Sequence, residues 1–166
     1  MNRTAPSRLP TLGPRGEGWV IGQLLLLGVC VFVGRPGLAR IELDSPFAWT
    51  LFVAGLVLLA AGGWLFVAGL RDLGRSLTPV PLPRDGAALV ETGIYRWLRH
   101  PIYAGMSVAA VGWAALSASP WALGAALLLL AWLDAKARRE EAWLLERYPG
   151  YAAYRARTKR FLPGIY

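Results

Sequence analysis

The chain has 166 residues, 55% hydrophobic and 17% charged, with a positive mean hydropathy. A bilayer requires such an excess of apolar residues, which a soluble domain of this size rarely carries. The formal charge of +8 could indicate nucleic acid, but the basic residues flank apolar runs, so we expect a lipid bilayer and no nucleic acid as partner. One histidine and one cysteine are too few ligands for a protein-built zinc or iron–sulfur site, and we expect no metal.

Two apolar runs in the first half of the chain predict two membrane helices. Residues 1–18 form a basic N-terminal tail, and Trp19–Gly34 is an uncharged run of 16 residues. A cleaved signal peptide is the alternative interpretation, although the remainder would still span the membrane several times. The second run, Ser45–Leu70, has 26 uncharged residues, enough to cross a hydrocarbon core of about 30 Å. Its glycines predict close approach between helices, and they are Gly55, Gly62, Gly63 and Gly69.

The third uncharged run, Pro101–Leu133, has 33 residues, which is too long for one helix and short for two full spans. Proline fits the first turn of a helix, so Ser117-Ala118-Ser119-Pro120 predicts the turn of a tight helical hairpin. Strong helix formers predict that the second arm continues over Asp134–Arg147, up to Pro149-Gly150. A last short segment, Tyr151–Lys159, is rich in tyrosine and arginine.

The distribution of Lys and Arg predicts the orientation in the membrane. The N-terminal tail has 3, the linker over residues 71–100 has 5 and the part after residue 133 has 8, which all share one face if the chain crosses four times. The opposite face then has only Arg35 and Arg40, a split of 16 to 2. The positive-inside rule therefore predicts an all-α integral membrane protein with four transmembrane helices and both termini on the cytosolic side of the cell membrane.

Three short motifs outside the apolar runs each have an ordinary structural interpretation. Arg99-His100-Pro101 has the composition of an interfacial anchor at a helix start. It follows a linker with Pro79, Pro81 and Pro83, a turn signal at Asp85-Gly86 and a short extended segment at 87–90. Glu140-Glu141 could be solvated partners of neighbouring basic residues. The tyrosine-rich basic end could be an amphipathic helix that faces anionic lipid.

The order and spacing of these motifs are more specific than any one of them. The assembled pattern is Leu89-Val90, Gly93, Tyr95, Arg99-His100-Pro101, Tyr103 and Gly105, then the apolar hairpin, then Glu140-Glu141 and Leu144, then Tyr148, Tyr151 and Tyr154. This pattern closely resembles the isoprenylcysteine carboxyl methyltransferase family, which shares its signature with the phospholipid N-methyltransferases. The resemblance covers residues 74–163, inside a single membrane domain that we expect over 19–166. It implies an integral membrane methyltransferase that uses S-adenosylmethionine.

The resemblance also implies the residues of the site. The cofactor contacts carried over by matching position are Leu89, Val90, Tyr95, His100, Pro101, Tyr103 and Glu140. Lys136 stands where the family has a substrate-side arginine, one helical turn before Glu140. Lysine offers a point charge and no planar fork, so the acceptor stays open between a carboxylate, a thiol and an amine. The other expected substrate contacts are Arg139, Glu141, Arg157 and Arg160.

These residue types suit the chemistry of S-adenosylmethionine. Glu140 can pair with its ammonium or ribose, His100 or Arg99 with its carboxylate, and tyrosine rings with its sulfonium. Methyl transfer is an in-line displacement, so positioning and water exclusion can supply the catalysis, and we assign no catalytic residue. The chain has no Rossmann glycine fingerprint, so the site must be built from the membrane helices and their cytosolic ends. We expect a lipophilic or small acceptor that can reach the site from the bilayer.

Two other functions stay open from the sequence. Membrane sterol and enone reductases have a similar C-terminal pattern and would bind NADPH instead of S-adenosylmethionine. A non-enzymatic membrane scaffold or transporter subunit would tolerate substitution of His100 and Glu140. The sequence gives no oligomeric state.

Overall fold

The computed structural model describes residues 9–39, 41–78, 80, 82, 86 and 88–166, and no β-strand occurs in these ranges. The α-helices are α1 (Glu17–Leu38), α2 (Pro46–Leu73), α3 (Pro101–Leu116), α4 (Pro120–Arg147) and α5 (Tyr151–Arg157). Two short 3-10 helices, Gly74–Ser76 and Gly93–Arg96, lie in the linker. Residues 1–8 of the tail, Arg40, the three linker prolines, Asp85 of the predicted turn and Ala87 of the predicted extended segment lie outside the described residues.

Serine caps and prolines set the starts of α2 and α4. The Ser45 hydroxyl accepts a hydrogen bond from the backbone N of Ala48 at 3.2 Å, and the Ser119 hydroxyl accepts one from Ala122 at 3.2 Å. A proline follows each serine at the first helical position, where its missing N–H costs no helical hydrogen bond. The hairpin turn predicted from Ser117 to Pro120 is therefore confirmed, as is the long polar extension of α4.

The apolar helices fit a membrane protein. In the described part of the chain, three helical stretches are long and apolar enough to cross a membrane, namely Glu17–Leu38, Pro46–Ser76 and Pro120–Arg147. The fourth apolar helix, α3, has only 16 residues, which at 1.5 Å per residue is about 24 Å. The predicted all-α membrane fold is confirmed, with α3 as the short arm of the hairpin.

Glycines bring α2 and α3 into backbone contact. A Cβ added to Gly62 would lie 2.5 Å from the backbone N of Ala109 and 2.6 Å from the carbonyl O of Gly105. Gly55 meets the backbone of α3 in the same way near Leu116. The predicted close approach is confirmed at these positions, whereas Gly63 faces open space.

Helix α1 lies against α3 and α4, and it has no extensive contact with α2. Indole donors fix it in place: Trp113 Nε1 donates to the carbonyl O of Cys30 at 2.9 Å, and Trp132 Nε1 donates to that of Trp19 at 3.0 Å. Because α2 packs on α3, a gap lies between α1 and α2, and α3 and α4 form its inner wall. The candidate functional site lies at the polar end of this gap.

The polar end of the bundle is covered by residues 93–100, 134–147 and 151–166, which we call the polar cap. Backbone hydrogen bonds join its distant parts, from the N of Arg99 to the O of Lys159 at 2.8 Å and from the N of His100 to the O of Arg160 at 3.2 Å. The N of Lys159 donates in turn to the O of Trp97 at 3.2 Å. The C-terminal segment thus holds the stretch that leads into α3.

Candidate functional site

A cavity of about 630 Å³ lies where α1 and α3 begin and α2 and α4 end. Ligand sites for small molecules have volumes of roughly 300–1,000 Å³. One side of the cavity is an apolar wall, formed by Val20 and Leu24 of α1, Phe66 and Leu70 of α2, and Ile102 and Met106 of α3. The other side is polar and belongs mainly to the polar cap. The cavity can therefore hold a ligand with charged and apolar parts side by side.

His100 is the buried imidazole of the polar side. Its ring stacks on Tyr103 with centroids 5.3 Å apart and planes 7° apart, and it meets the edge of Phe161 at 6.3 Å. Its Nδ1 lies 3.8 Å from Glu140 Oε2. Its Nε2 lies 3.3 Å from Glu141 Oε1 but outside hydrogen-bond geometry, so this nitrogen has no hydrogen-bond partner among the described residues. Stacking on Tyr103 and the two nearby carboxylates hold the ring, with Nδ1 on the side of Glu140 and Nε2 on the side of Glu141.

Glu140 places a carboxylate in the cavity. Its side chain keeps 25% of its surface exposed, and its Oε2 accepts a hydrogen bond from the Tyr103 hydroxyl at 2.8 Å. Tyr103 lies near the start of α3 and Glu140 near the end of α4, so the hairpin brings these two residues together. The carboxylate is oriented by one neutral donor and can still bind a cationic group.

Lys136 lies one turn before Glu140 and is almost fully buried, with 1% of its surface exposed. Its ammonium donates to Gln23 Oε1 at 2.6 Å and lies 4.9 Å from the centroid of the Tyr103 ring. Gln23 in turn donates from Nε2 to the sulfur of Met106 at 3.4 Å. A positive charge therefore stands where the polar side of the cavity meets the apolar wall.

Three buried tyrosines complete the polar side. The Tyr95 hydroxyl donates to the carbonyl O of Gly69 at 3.3 Å, and the Tyr154 hydroxyl donates to the O of Tyr95 at 2.7 Å. The Tyr151 hydroxyl is buried and has no hydrogen-bond partner among the described residues. Burial raises the pKa of all three phenols, so they are neutral at physiological pH.

Glu141 faces away from the cavity, although it is adjacent to Glu140 in the chain. Its Oε1 accepts from Arg99 Nε at 2.9 Å and from Arg160 Nε at 3.1 Å, and its Oε2 accepts from Arg160 Nη2 at 3.2 Å. Arg160 also donates to Asp134 Oδ1 at 2.9 Å. Buried charges with this many partners hold elements together, and here they join α4 to the C-terminal segment and to the stretch before α3.

The structure brings together most of the expected cofactor residues. Those that line the cavity are Leu89, Val90, Tyr95, His100, Tyr103 and Glu140. Pro101 does not line it; it is buried at the first position of α3, directly behind His100.

The expected substrate residues divide differently. Lys136 lines the cavity, whereas Arg139, Glu141, Arg157 and Arg160 do not. Arg139 stacks on Trp143 at 4.2 Å, and Arg157 pairs with Glu91 and lies over the Tyr154 ring. Direct contact of these four with a substrate stays a prediction, since they do not belong to the described cavity lining.

Sequence reasoning missed Gln23 and gave Tyr151 and Tyr154 no place in the site. Gln23 is a polar residue within the uncharged run of α1, and a polar side chain inside a membrane segment is itself a signal of function. The tyrosines belonged to the recognised pattern, but their spacing fits an interfacial helix equally well. No feature of the sequence predicted the apolar wall, because its residues have the same composition as lipid-facing residues elsewhere in the helices.

Comparison with known proteins agrees with this geometry. A family model described as phospholipid methyltransferase matches residues 50–150, which is more than half of the chain. The match includes most of α2, the linker, all of α3 and all of α4, and so most of the cavity lining. No curated protein matches the chain. Members of the matched family generally use S-adenosylmethionine. The chain belongs to the phospholipid methyltransferase family and is a membrane methyltransferase.

Proposed function

We propose that this protein transfers a methyl group from S-adenosylmethionine to an acceptor with an apolar body and a polar tip, at the cytosolic face of the membrane. One observation carries the proposal: one cavity joins a polar side, which includes the Glu140 carboxylate and Tyr151, to an apolar wall between α1 and α2. A water-soluble cofactor and a lipophilic acceptor could each reach such a site from its own phase.

The residues present fit the cofactor. S-adenosylmethionine carries two cationic groups, a carboxylate and an adenosine, and the cavity offers the Glu140 carboxylate, the neutral tyrosines and the Tyr151 hydroxyl, which has no hydrogen-bond partner among the described residues. We assign the cofactor to Leu89, Val90, Tyr95, His100, Tyr103 and Glu140, with Pro101 fixing the start of α3, and we add Tyr151. When bound, S-adenosylmethionine supplies the methyl group and leaves as S-adenosylhomocysteine.

The protein's own contribution is to position the reactants and to exclude water. Tyr103 holds Glu140 through a hydrogen bond and holds the His100 ring by stacking, so one tyrosine orients both polar groups. The tyrosines and the helix ends shield the polar side from solvent. Orientation of this kind can supply much of the rate enhancement of a displacement reaction without an acid or a base.

The apolar wall supports a lipophilic acceptor. Leu24 lines the cavity and is also 60% exposed on the outer surface of α1. Because α1 and α2 have no extensive contact, the gap between them opens toward the region that lipid would occupy. The Lys136 ammonium at the inner end of this gap favours a polar tip that is anionic, although a lysine does not select a carboxylate as an arginine would.

The binding test is a calorimetric titration of purified protein with S-adenosylmethionine, S-adenosylhomocysteine and NADPH. We expect the first two to bind and NADPH not to bind. His100→Ala and Glu140→Gln should each weaken S-adenosylhomocysteine binding by more than tenfold, or about 1.4 kcal/mol. Glu146→Gln, which changes an exposed acid on the same helix, is the matched control. Unchanged affinity in both site variants, with folding verified by size-exclusion chromatography, would refute the assignment.

The acceptor is tested by methyl transfer from labelled cofactor. A lipid extract, a prenylcysteine analogue and simple water-soluble thiols are compared, and we expect turnover of an amphiphile. Turnover of a soluble thiol with none for any lipid would contradict access from the bilayer while leaving the methyltransferase activity intact.

The proposed orientation places the cavity end of the bundle in the cytosol, as the split of 16 to 2 basic residues favours. Cysteine labelling in a Cys30→Ser background can test it. A cysteine at Ala118, in the turn between α3 and α4, should react only with reagent added from outside. Reaction from the cytosolic side alone would mean that the hairpin is re-entrant.

A further inference from the structure

Gln23 is the one polar side chain that α1 contributes to the described cavity lining. It lies outside the residues matched to the family, in a helix that is otherwise apolar around it. Its amide is used at both ends: Oε1 accepts from Lys136 on α4 at 2.6 Å, and Nε2 donates to Met106 on α3 at 3.4 Å. An amide inside a membrane helix costs free energy unless it is hydrogen-bonded. This amide links α1 to α3 and α4.

The Lys136 ammonium depends on this partner. An ammonium has three donors, and Gln23 accepts from one of them. The Tyr103 ring lies 4.9 Å away and attracts the charge without neutralising it. The Glu140 carboxylate, one turn along α4, is oriented by the Tyr103 hydroxyl. Among the described residues, the hydrogen-bond partner of the buried cation is therefore neutral, and Glu140 attracts the charge through space while the ammonium still lines the cavity.

The hydrogen bond from Lys136 to Gln23 also fixes the position of the Lys136 ammonium. A lysine stem is long and flexible, and without a fixed partner its charge would turn toward water or toward Glu140, four residues along the helix. The bond to Gln23, whose amide also donates to Met106, holds it instead near the edge of the apolar wall.

We infer that Gln23 is a positioning residue, which holds the Lys136 ammonium toward the acceptor side of the cavity and so gives the site its preference for an anionic tip. The inference rests on the proposed function and extends it, because the selectivity comes from α1, a helix outside the family match.

Two substitutions and two probes test this role. Gln23→Glu keeps the shape but neutralises the ammonium, and Gln23→Leu removes its hydrogen-bond acceptor. Leu25→Ala, at a lipid-facing position of α1 that does not line the cavity, is the control. The probes are N-acetyl-S-farnesylcysteine and its neutral carboxamide, with S-adenosylhomocysteine binding measured in parallel.

We expect the wild type to bind the carboxylate about tenfold tighter than the carboxamide. Gln23→Glu should reduce this preference to about twofold or less, and Gln23→Leu should give an intermediate value. Both variants and the control should keep S-adenosylhomocysteine affinity within about threefold, because the proposed cofactor residues are unchanged. If Gln23 only stabilised the fold, its substitution would change the affinity for the charged and the neutral probe equally.

Other outcomes would overturn the inference. Equal binding of the two probes by the wild type, or an unchanged preference in both Gln23 variants, would show that Gln23 does not set a selective charge. Parallel loss of S-adenosylhomocysteine binding would make Gln23 a general structural residue. Failure of the wild type to bind S-adenosylhomocysteine would overturn the proposed function and this inference with it.

Discussion

The membrane bundle and the polar cap are stabilised by opposite means. Where α2 crosses α3, no charged residue takes part, and Gly62 and Gly105 let the two backbones touch. In the polar cap, the Glu141 carboxylate is buried between Arg99 and Arg160. Lipid gives apolar side chains no reason to cluster, so close packing must hold the bundle, whereas the cap gains from charge-assisted hydrogen bonds.

The cavity lies at the junction of these two regions and depends on both. His100 shows this best, because it caps α3 while its backbone N is bonded to Arg160 of the C-terminal segment. A disturbance of the cap should therefore reach the cofactor side of the cavity. A disturbance of the bundle should reach the apolar wall.

The largest expected effect comes from removing the central charge of the polar cap. Glu141→Gln leaves Arg99 and Arg160 buried without their shared countercharge. We expect a loss of about 3–5 kcal/mol in the free energy of unfolding, as for other broken buried ion pairs. The measurement is unfolding by SDS titration in mixed micelles.

Glu140→Gln is the matched control, since the two acids are adjacent and differ in their surroundings. Glu140 is partly exposed to the cavity, and a glutamine can still accept the Tyr103 hydrogen bond. Its unfolding free energy should change by less than about 1 kcal/mol, although cofactor binding falls. Equal destabilisation by both substitutions would remove the distinction between a cap residue and a cavity residue.

A smaller effect is expected in the bundle. Gly62→Ala places a methyl group against the backbone of α3, which cannot move aside as a flexible side chain can. Overpacking of this kind costs about 1–3 kcal/mol. Gly63→Ala adds the same methyl group where nothing lies within 4 Å, so it should be neutral or slightly stabilising. If both variants unfold alike, backbone contact does not hold α2 to α3.

The sequence was most informative about the bundle. Uncharged runs, the Ser119-Pro120 helix start and glycines each have one dominant physical meaning in a membrane chain, and all three predicted observed features. Gly63 marks the limit of this reasoning, because composition does not say which of two adjacent glycines faces a neighbouring helix.

The polar cap was harder to predict because its contacts join distant residues. Glu140 and Glu141 have the same chemistry, and only the orientation of α4 turns one to the cavity and the other to the arginines. Arg160 was expected at the substrate because nothing in the sequence shows that Asp134 and Glu141 already bind it. Charged residues near a site have many possible partners, and the fold selects among them.

The smallest expected effect separates structural from ligand-binding hydroxyls at the boundary of cap and cavity, where Tyr151 and Tyr154 lie one turn apart on α5. The Tyr154 hydroxyl donates to the O of Tyr95, so Tyr154→Phe should cost about 0.5–1.5 kcal/mol of unfolding free energy. The Tyr151 hydroxyl is buried without a partner among the described residues, so Tyr151→Phe removes an unsatisfied donor and should leave stability unchanged or raise it.

Ligand binding should show the reverse order for these two tyrosines. If the Tyr151 hydroxyl is satisfied by the cofactor, Tyr151→Phe should weaken S-adenosylhomocysteine binding severalfold, about the value of one hydrogen bond. Tyr154→Phe should change that affinity less, because its hydroxyl is already bonded within the protein. Calorimetry and SDS titration on the same two variants give both quantities. A Tyr151→Phe variant that loses stability but keeps full affinity would show that the hydroxyl serves the fold and not the cofactor.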